Sequence, residues 1–473
     1  MKTIFEIVNS KFRENITELL KPYAGIRCLS PSFDEDWEKN GEIEKAVLLF
    51  KEWALQRSIP GLSAFISRLP GRTPALIIDI PGSRSQANPV LIYGHLDKQP
   101  AIDPWSADKD PFEAKLVGDN LYCRGCVDDG YAIVAALSGI EALVETNTNY
   151  PHCVAIIEAS EESGSPDLDA HLDALSNIFT DISMVLCLDS GGLDFGRIWL
   201  TSSLRGIIVF QIDVEVLEHG VHSGSAGGVV PSSFMILREL LARLEDSKTG
   251  TVIVDGLTVD IPEFFCQHAV ELDKVLGDPL RSLFPTVENA TLLAKSGPEL
   301  ILNQTWRPAL EVVGIGGIPD VVHGGNVLRS ATKAKLSMRL PPSLDPQRAS
   351  EIISALMTTD VPFSAKVTIS FEAFAQGWVA PNLSASVKNA VDQASLSTYG
   401  TLSMFCGEGG SIPFLATLGT RFPSAQIIAT GALGPGSNAH GPDESLNIKA
   451  GVGVAVTVAQ VISSLSDSDD SNN

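Results

Sequence analysis

Short apolar runs recur along the first two hundred residues, each closed by a polar or glycine-rich turn. Residues 75–93 hold two such runs around the turn sequence PGSRSQANP, which predicts a hairpin. Residues 130–145, GYAIVAALSGIEALVE, predict a buried helix, and HCVAIIEAS (152–160) and ISMVLCLDS (182–190) predict continuous apolar strands. Strands that are apolar on both sides, alternating with helices, belong to an α/β sheet covered on both faces. Ligands collect at the loops leaving the carboxyl ends of such strands.

Beyond residue 200 the texture changes. GIIVFQIDVEV (206–216), ATKAKLSMRLP (331–341) and AKVTISFEAF (365–374) alternate apolar and polar positions, as half-buried strands do. SSFMILRELLARLED (232–246) and IISALMTTD (352–360) fit helices. Two helices on a small antiparallel sheet make an α+β module, with hinges expected near 200–206 and 375–378. The α/β texture then returns, with QIIATGALG (426–434) a buried strand. The expected organisation is an α/β domain with a mixed sheet in two parts, residues 1–203 and 377–462, interrupted by an α+β module at 204–376. The polar, acidic residues 463–473 are expected to form a disordered tail. No internal repeat is apparent.

With 473 residues the chain exceeds one ordinary hydrophobic core, in keeping with this division. A formal charge of -23 argues against nucleic acid or an anionic membrane surface as a partner. The amino-terminal segment MKTIFEIVNSKFRENITELL reads as an amphipathic helix, without the features of a secretory signal. No later stretch of eighteen residues is apolar without polar interruption, so no membrane span is expected. Seven scattered cysteines, an odd number, fit free thiols in a reducing compartment, with the cytoplasm as the expected address. Cys123 and Cys126 have CxxC spacing, but no second pair accompanies them, and they read as ordinary cysteines near a loop.

The candidate chemistry lies where the apolar strands end. His95 and Asp97 follow VLIYG, Asp128 and Asp129 sit in RGCVDDGY, Glu161 and Glu162 in IIEASEESGS, Asp189 in VLCLDSGG, and His440 in GPGSNAHGPDES. Singly, each has an ordinary use as a helix cap, a turn acceptor or a solvated loop charge. Together, two imidazoles and several carboxylates beside glycine-rich turns can hold two divalent ions, one carboxylate bridging them. Of two adjacent glutamates, one can ligate an ion while its neighbour takes a proton from water. Asp97 is placed to hold the far nitrogen of His95 and fix its tautomer.

The motifs YGHLDKQP, LYCRGCVDDG, EASEESGS, LCLDSGG, VHSG, GEGGSIP and AHG resemble, in this order, those of the M20 family of metallopeptidases, and most nearly its carnosinase and cytosolic nonspecific dipeptidase branch. The resemblance runs from about residue 15 to residue 460. It implies a mixed-sheet catalytic domain with an inserted α+β lid, two divalent ions per subunit (zinc or manganese), and a homodimer formed through the lid. By the same resemblance His95, Asp128, Glu162, Asp189 and His440 are metal ligands, with Asp128 bridging. Glu161 is the general base, and Asp97 is the carboxylate behind His95. His222 is the lid histidine that stabilises the oxyanion, in family dimers sometimes from the other subunit. Arg339 and Ser411 hold the substrate carboxylate, and Asn326 is a further polar contact. Two positions depart from the family pattern: Gly130-Tyr131 follow the paired aspartates where a lysine is common, and Gly407 stands where an arginine usually precedes EGGSIP. The implied activity is hydrolysis of dipeptides or very short peptides. An N-acyl-amino-acid deacylase or a small-peptide carboxypeptidase on the same machinery is the alternative. A non-catalytic binding or assembly protein is the reading from another class.

Overall fold

The computed structural model describes residues 2–83, 88–277, 280–281, 284 and 286–467. They form two compact units, one made of Met1–Ser202, Ala380–Cys406 and Phe414–Asn473, the other of Ser203–Val379 and Gly407–Pro413. The second unit is thus inserted in the first along the chain, and the segment carrying GEGGSIP clusters with the insertion although its neighbours on both sides do not.

The first unit is built on a six-stranded mixed sheet in the order Ser63–Ser67, Ala75–Ile80, Cys153–Glu158, Val90–His95, Met184–Cys187, Gln426–Ala429. The last four strands run parallel to one another, and Ala75–Ile80 lies antiparallel to both of its neighbours. The strands Val90–His95, Cys153–Glu158 and Met184–Cys187 are buried at every position, which is why their sequences show no alternation.

The hairpin expected over 75–93 is not formed. Ala75–Ile80 pairs with Cys153–Glu158, which lies between it and Val90–His95. Both apolar runs are interior strands with two paired edges, so a strand from farther along the chain can separate them. The centre of the expected turn, residues 84–87, lies outside the described residues.

Helices Ile4–Ala24, Glu42–Leu55, Ala132–Glu145, Ala385–Tyr399 and Ile448–Asp467 supply apolar faces to the same core. The first begins with a reciprocal capping box, Glu6 N–H donating to Thr3 Oγ1 at 3.2 Å and Thr3 N–H to Glu6 Oε2 at 2.8 Å. Ile448–Asp467 packs against Ile4–Ala24, Ala132–Glu145 and Ala385–Tyr399. By length and composition it is apolar enough to cross a membrane, and 72% of its most apolar window is buried in the protein. Residues 463–467, expected to begin a disordered tail, are instead the last turn of this helix. The remainder of that tail lies outside the described residues.

The second unit carries a four-stranded antiparallel sheet in the order Ala309–Gly316, Ala331–Leu340, Gly206–Glu215, Lys366–Ala375. Gly206–Glu215 alternates strictly between buried and half-buried positions. Its buried face (Ile208, Phe210, Ile212, Val214) joins Ala334, Leu336 and Met338 of the next strand against helices Ser233–Leu244 and Pro346–Thr358. That is the two-helix, small-sheet module read from the sequence. The edge strand Ala309–Gly316 and the helices Glu263–Leu276 and Gly297–Thr305 were not anticipated.

Candidate active site

His95 ends its strand, and the residues that join it leave the ends of neighbouring parallel strands or sit in loops packed there. Glu161 and Glu162 open a short 3-10 turn, Glu161–Ser163, just past Cys153–Glu158. Asp189 follows Met184–Cys187 by two residues. Asp128 lies in the turn Cys126–Gly130 ahead of helix Ala132–Glu145, with a cis peptide to Asp129. His440 sits in the loop after Gln426–Ala429 with a φ of 63°.

Asp128 divides its carboxylate between two imidazoles: Oδ1 lies 3.0 Å from His95 Nε2 and Oδ2 lies 2.9 Å from His440 Nε2. His440 Nε2 is also 3.2 Å from Glu162 Oε2, and His95 Nε2 is 3.8 Å from Asp189 Oδ2. Gln99 Nε2 donates to Glu162 at 2.8 Å. Two groups of potential ligand atoms result, His95 with Glu161 and Asp189, and His95 with Asp128 and Glu162; within each, the atoms lie within 4.8 Å of one another.

Asp97 is completely buried and has two tasks. The Nδ1 of His95 lies 3.2 Å from its backbone oxygen and 3.4 Å from its Oδ1. The same carboxylate accepts the backbone N–H of Glu161 at 3.2 Å and of Glu162 at 3.0 Å. One side chain therefore orients an imidazole and also fixes the turn that presents both glutamates.

The charge balance of this cluster calls for cations. Burial, then the nearby Asp189 charge, raises the Glu161 and Asp129 carboxyls well above the usual range, and burial also raises Glu162. Burial works against the charged forms of His95 and Asp128 as well, yet hydrogen bonds override it: those with His440 and then His95 hold Asp128 ionised, and those with Asp128 and Asp97 raise His95. Hydrogen bonds to Asp128 and Glu162 push His440 up to about 10. Asp129 leaves Oδ1 buried without a hydrogen-bond partner, while its Oδ2 accepts from the His95 backbone N–H at 3.2 Å. Carboxylates crowded out of water beside two imidazoles form a donor set of hard oxygens and borderline nitrogens, which divalent ions fit.

Several supporting residues escaped the sequence reading. Glu444 is fully buried, accepting Arg124 Nη1 at 2.6 Å and the backbone N–H groups of Gly125 (3.1 Å), Val127 (3.2 Å) and Asp128 (3.4 Å). Arg124 Nη2 in turn donates to Gly441 O at 2.9 Å, tying the His440 loop to the Asp128 turn. Tyr131 donates its hydroxyl to Leu188 O, next to Asp189, and accepts from Ala432 N–H at 2.9 Å. Gly130 explains one departure from the family pattern: a Cβ there would lie 2.6 Å from Gly125 O and 2.7 Å from the Tyr23 ring.

Glu158, at the end of its strand, accepts from Tyr93 Oη at 2.6 Å and from Ser165 Oγ at 2.8 Å, and burial pushes its carboxyl up to about 7 from the ordinary 4.5. A carboxyl with a raised folded pKa contributes stability that is present in full below 4.5 and lost as pH rises through 7. Between those limits wild-type unfolding free energy should fall, relative to a Glu158→Gln variant, by on the order of 3 kcal/mol. Urea unfolding at a series of pH values checks this, and parallel curves would exclude Glu158 as the source.

The remaining candidates lie in the second unit, as two pairs. His222 and Asn326 are exposed and adjacent: Val221–His222 pairs with Val327–Leu328, Ser223 N–H donates to Asn326 O at 2.9 Å, and His222 Nδ1 accepts from Gly224 N–H at 3.1 Å. Arg339 Nη1 donates to Ser411 Oγ at 3.2 Å, and Ser411 Oγ donates to Arg205 O at 2.6 Å. Arg205 is a further residue that the sequence reading did not single out.

A mixed α/β sheet with two candidate ion-binding clusters, sharing His95, at the ends of its parallel strands, plus a smaller helix-and-sheet unit, has the make-up of a dinuclear metallohydrolase. The chain belongs to peptidase family M20/M25/M40, whose model matches residues 91–464. It is similar to the cysteinylglycine-S-conjugate dipeptidase of Corynebacterium striatum, 27% identical over 406 residues that cover 82% of this chain and 83% of that one. The Cys-Gly metallodipeptidase DUG1 of Saccharomyces cerevisiae is 28% identical over 420 residues, covering 84% and 83%. The crystal structure of human carnosine dipeptidase 1 superposes with a TM-score of 0.72 at 21% identity, covering 98% of both chains.

Proposed function

We propose that this metallopeptidase is a dipeptidase that hydrolyses the peptide bond of dipeptides or very short peptides, with Glu161 as general base and zinc or manganese as its ions. The observation that carries the reading is the Asp128 carboxylate shared between His95 and His440, with two glutamates fixed beside it by Asp97. The dipeptidase relatives in bacteria and yeast support the substrate class. His95, Asp128, Glu162, Asp189 and His440 would hold the ions, which when bound supply Lewis acidity to a water and to the scissile carbonyl. Glu161 lies close enough to His95 and Asp189 to ligate as well. Glu162, however, is tied to His440 and Gln99, whereas the raised proton affinity of Glu161 suits a base.

In this reading Glu161 takes a proton from the attacking water and returns it to the leaving amine. His222 donates to the developing oxyanion, and Arg339 with Ser411 grips the terminal carboxylate, Asn326 adding a polar contact. The edge strand Ala309–Gly316, whose outer side is unpaired in its sheet and which exposes Val313 and Ile315, supports a homodimer through the second unit. Seven free cysteines, six of them buried, fit a reducing, cytoplasmic address.

The test is hydrolysis of a free-amine dipeptide and its N-acetylated partner by manganese- and zinc-loaded protein, with light scattering on the same samples. Faster cleavage of the free dipeptide, lost on chelation, by a particle of two chains is expected. Preference for the acetylated compound would move the protein to the deacylases, and the mass of one chain would remove the dimer.

A further inference from the structure

Arg205 precedes the strand Gly206–Glu215 and is 8% exposed. Its Nε donates to Gly409 O, and its Nη1 to Asn303 O and Arg307 O, each at 3.2 Å. Arg339 lies on the adjacent strand, paired with Ile207, and reaches Ser411, whose hydroxyl is bonded to the Arg205 carbonyl. Among the described residues neither guanidinium has a carboxylate within ion-pair distance.

Carbonyl oxygens satisfy N–H groups but leave the positive charge standing, and a buried charge without a counter-charge is costly. Burial and then the like charge of Arg339 lower Arg205 to about 10, which still leaves it a cation at neutral pH. A clamp for the 407–413 loop would need only a neutral donor. Two unneutralised guanidiniums held on one loop, Arg339 at the Ser411 hydroxyl and Arg205 at the Gly409 carbonyl two residues before it, in a chain of net charge -23, have the form of an anion receptor.

Gly407 adds a second reason. A Cβ there would lie 2.8 Å from both Ser203 Oγ and Thr305 Cβ, so the position has no room for the family's usual arginine. Arg205 brings a guanidinium to the same loop, its Nη2 lying 3.2 Å from where a Cβ on Gly409 would stand.

We propose that Arg205 is the second cation of the substrate-carboxylate anchor, acting with Arg339 and Ser411 on the free α-carboxylate of the C-terminal residue. This inference rests on the reading of Arg339 and Ser411 as that anchor. It assigns to Arg205 a share of the selection for free carboxylate over carboxamide.

The experiment is a cycle between enzyme and substrate: kcat/KM of the metal-loaded full chain for its best dipeptide and for the same dipeptide with a C-terminal amide, in wild type, Arg205→Gln and Arg205→Lys. Wild type should prefer the carboxylate, Arg205→Gln should shrink that preference by about tenfold or more, and Arg205→Lys should keep most of it. If Arg205→Gln slows both substrates by the same factor, Arg205 is only a clamp and the inference falls while the anchor stands. A wild-type enzyme indifferent to amidation removes the anchor itself, and the inference with it. Should the Arg205 variants not fold, Arg339→Ala decides: a residual carboxylate preference supports Arg205, and its complete loss overturns the proposal.

Discussion

Glu161→Gln is expected to lower kcat by about a thousandfold while the protein keeps its ions, because glutamine retains the shape of the side chain but cannot accept a proton from water. The expectation follows from the difference between the two glutamates. Glu162 is committed to His440 and Gln99, at 3.2 and 2.8 Å, and its carboxyl is raised by burial, whereas burial and the neighbouring Asp189 raise Glu161 well above the usual range. Turnover and metal content should be measured on the same preparation. An unimpaired variant would remove Glu161 as the base. A variant that loses an ion would instead make it a ligand, as its proximity to His95 and Asp189 allows.

Glu444→Ala is expected to be the most damaging substitution away from the reacting groups. It leaves the Arg124 guanidinium, whose side chain is 3% exposed, without its counter-ion, and it strips an acceptor from three backbone amides, Asp128 among them. Breaking a buried pair of this kind costs roughly 3–5 kcal/mol. The Asp128 turn and the His440 loop lose their shared anchor at the same time, so metal affinity should fall along with stability. Glu444→Gln, which keeps one acceptor oxygen, should fall between the alanine variant and wild type. Calorimetric metal titration and urea unfolding of the three proteins check the order. Equal metal affinity in all three would confine Glu444 to folding.

The apolar runs at 90–95, 153–158 and 184–187 were legible as strands because burial on both faces admits hardly anything polar, and His95, Asp97, Glu161, Glu162 and Asp189 were legible as candidates because they stand at or just past the ends of those runs. Strand neighbours were not legible. Ala75–Ile80 and Val90–His95 are linked by a turn-forming sequence, yet an apolar run carries no mark of which edge it will pair, and Cys153–Glu158 takes the place between them. The edge strand Ala309–Gly316 was missed for a related reason: its positions are half-buried or exposed throughout, without strict alternation. Glu444 had no local signal, since an acidic residue in GPDES looks like loop charge until the amides it accepts, more than three hundred residues earlier in the chain, are in place. Arg124 was hidden between two cysteines whose spacing drew the attention. His440 was readable through AHG alone, because its φ of 63° and its approach to Asp128 belong to the folded loop.

The division of the first unit along the chain has a consequence for how the protein is made. The segment from 203 to 379 contains its own sheet and a closed apolar cluster, whereas the six-stranded sheet lacks Gln426–Ala429, and its helical layer lacks Ile448–Asp467, until the later residues have emerged. On the ribosome the inserted unit can therefore close its core while the larger one is still waiting for its last strand and helix. The proposed ion site shares that delay: His95, Asp128, Glu162 and Asp189 are synthesised long before His440, so a ligand set of these five would be complete only late in the life of the nascent chain.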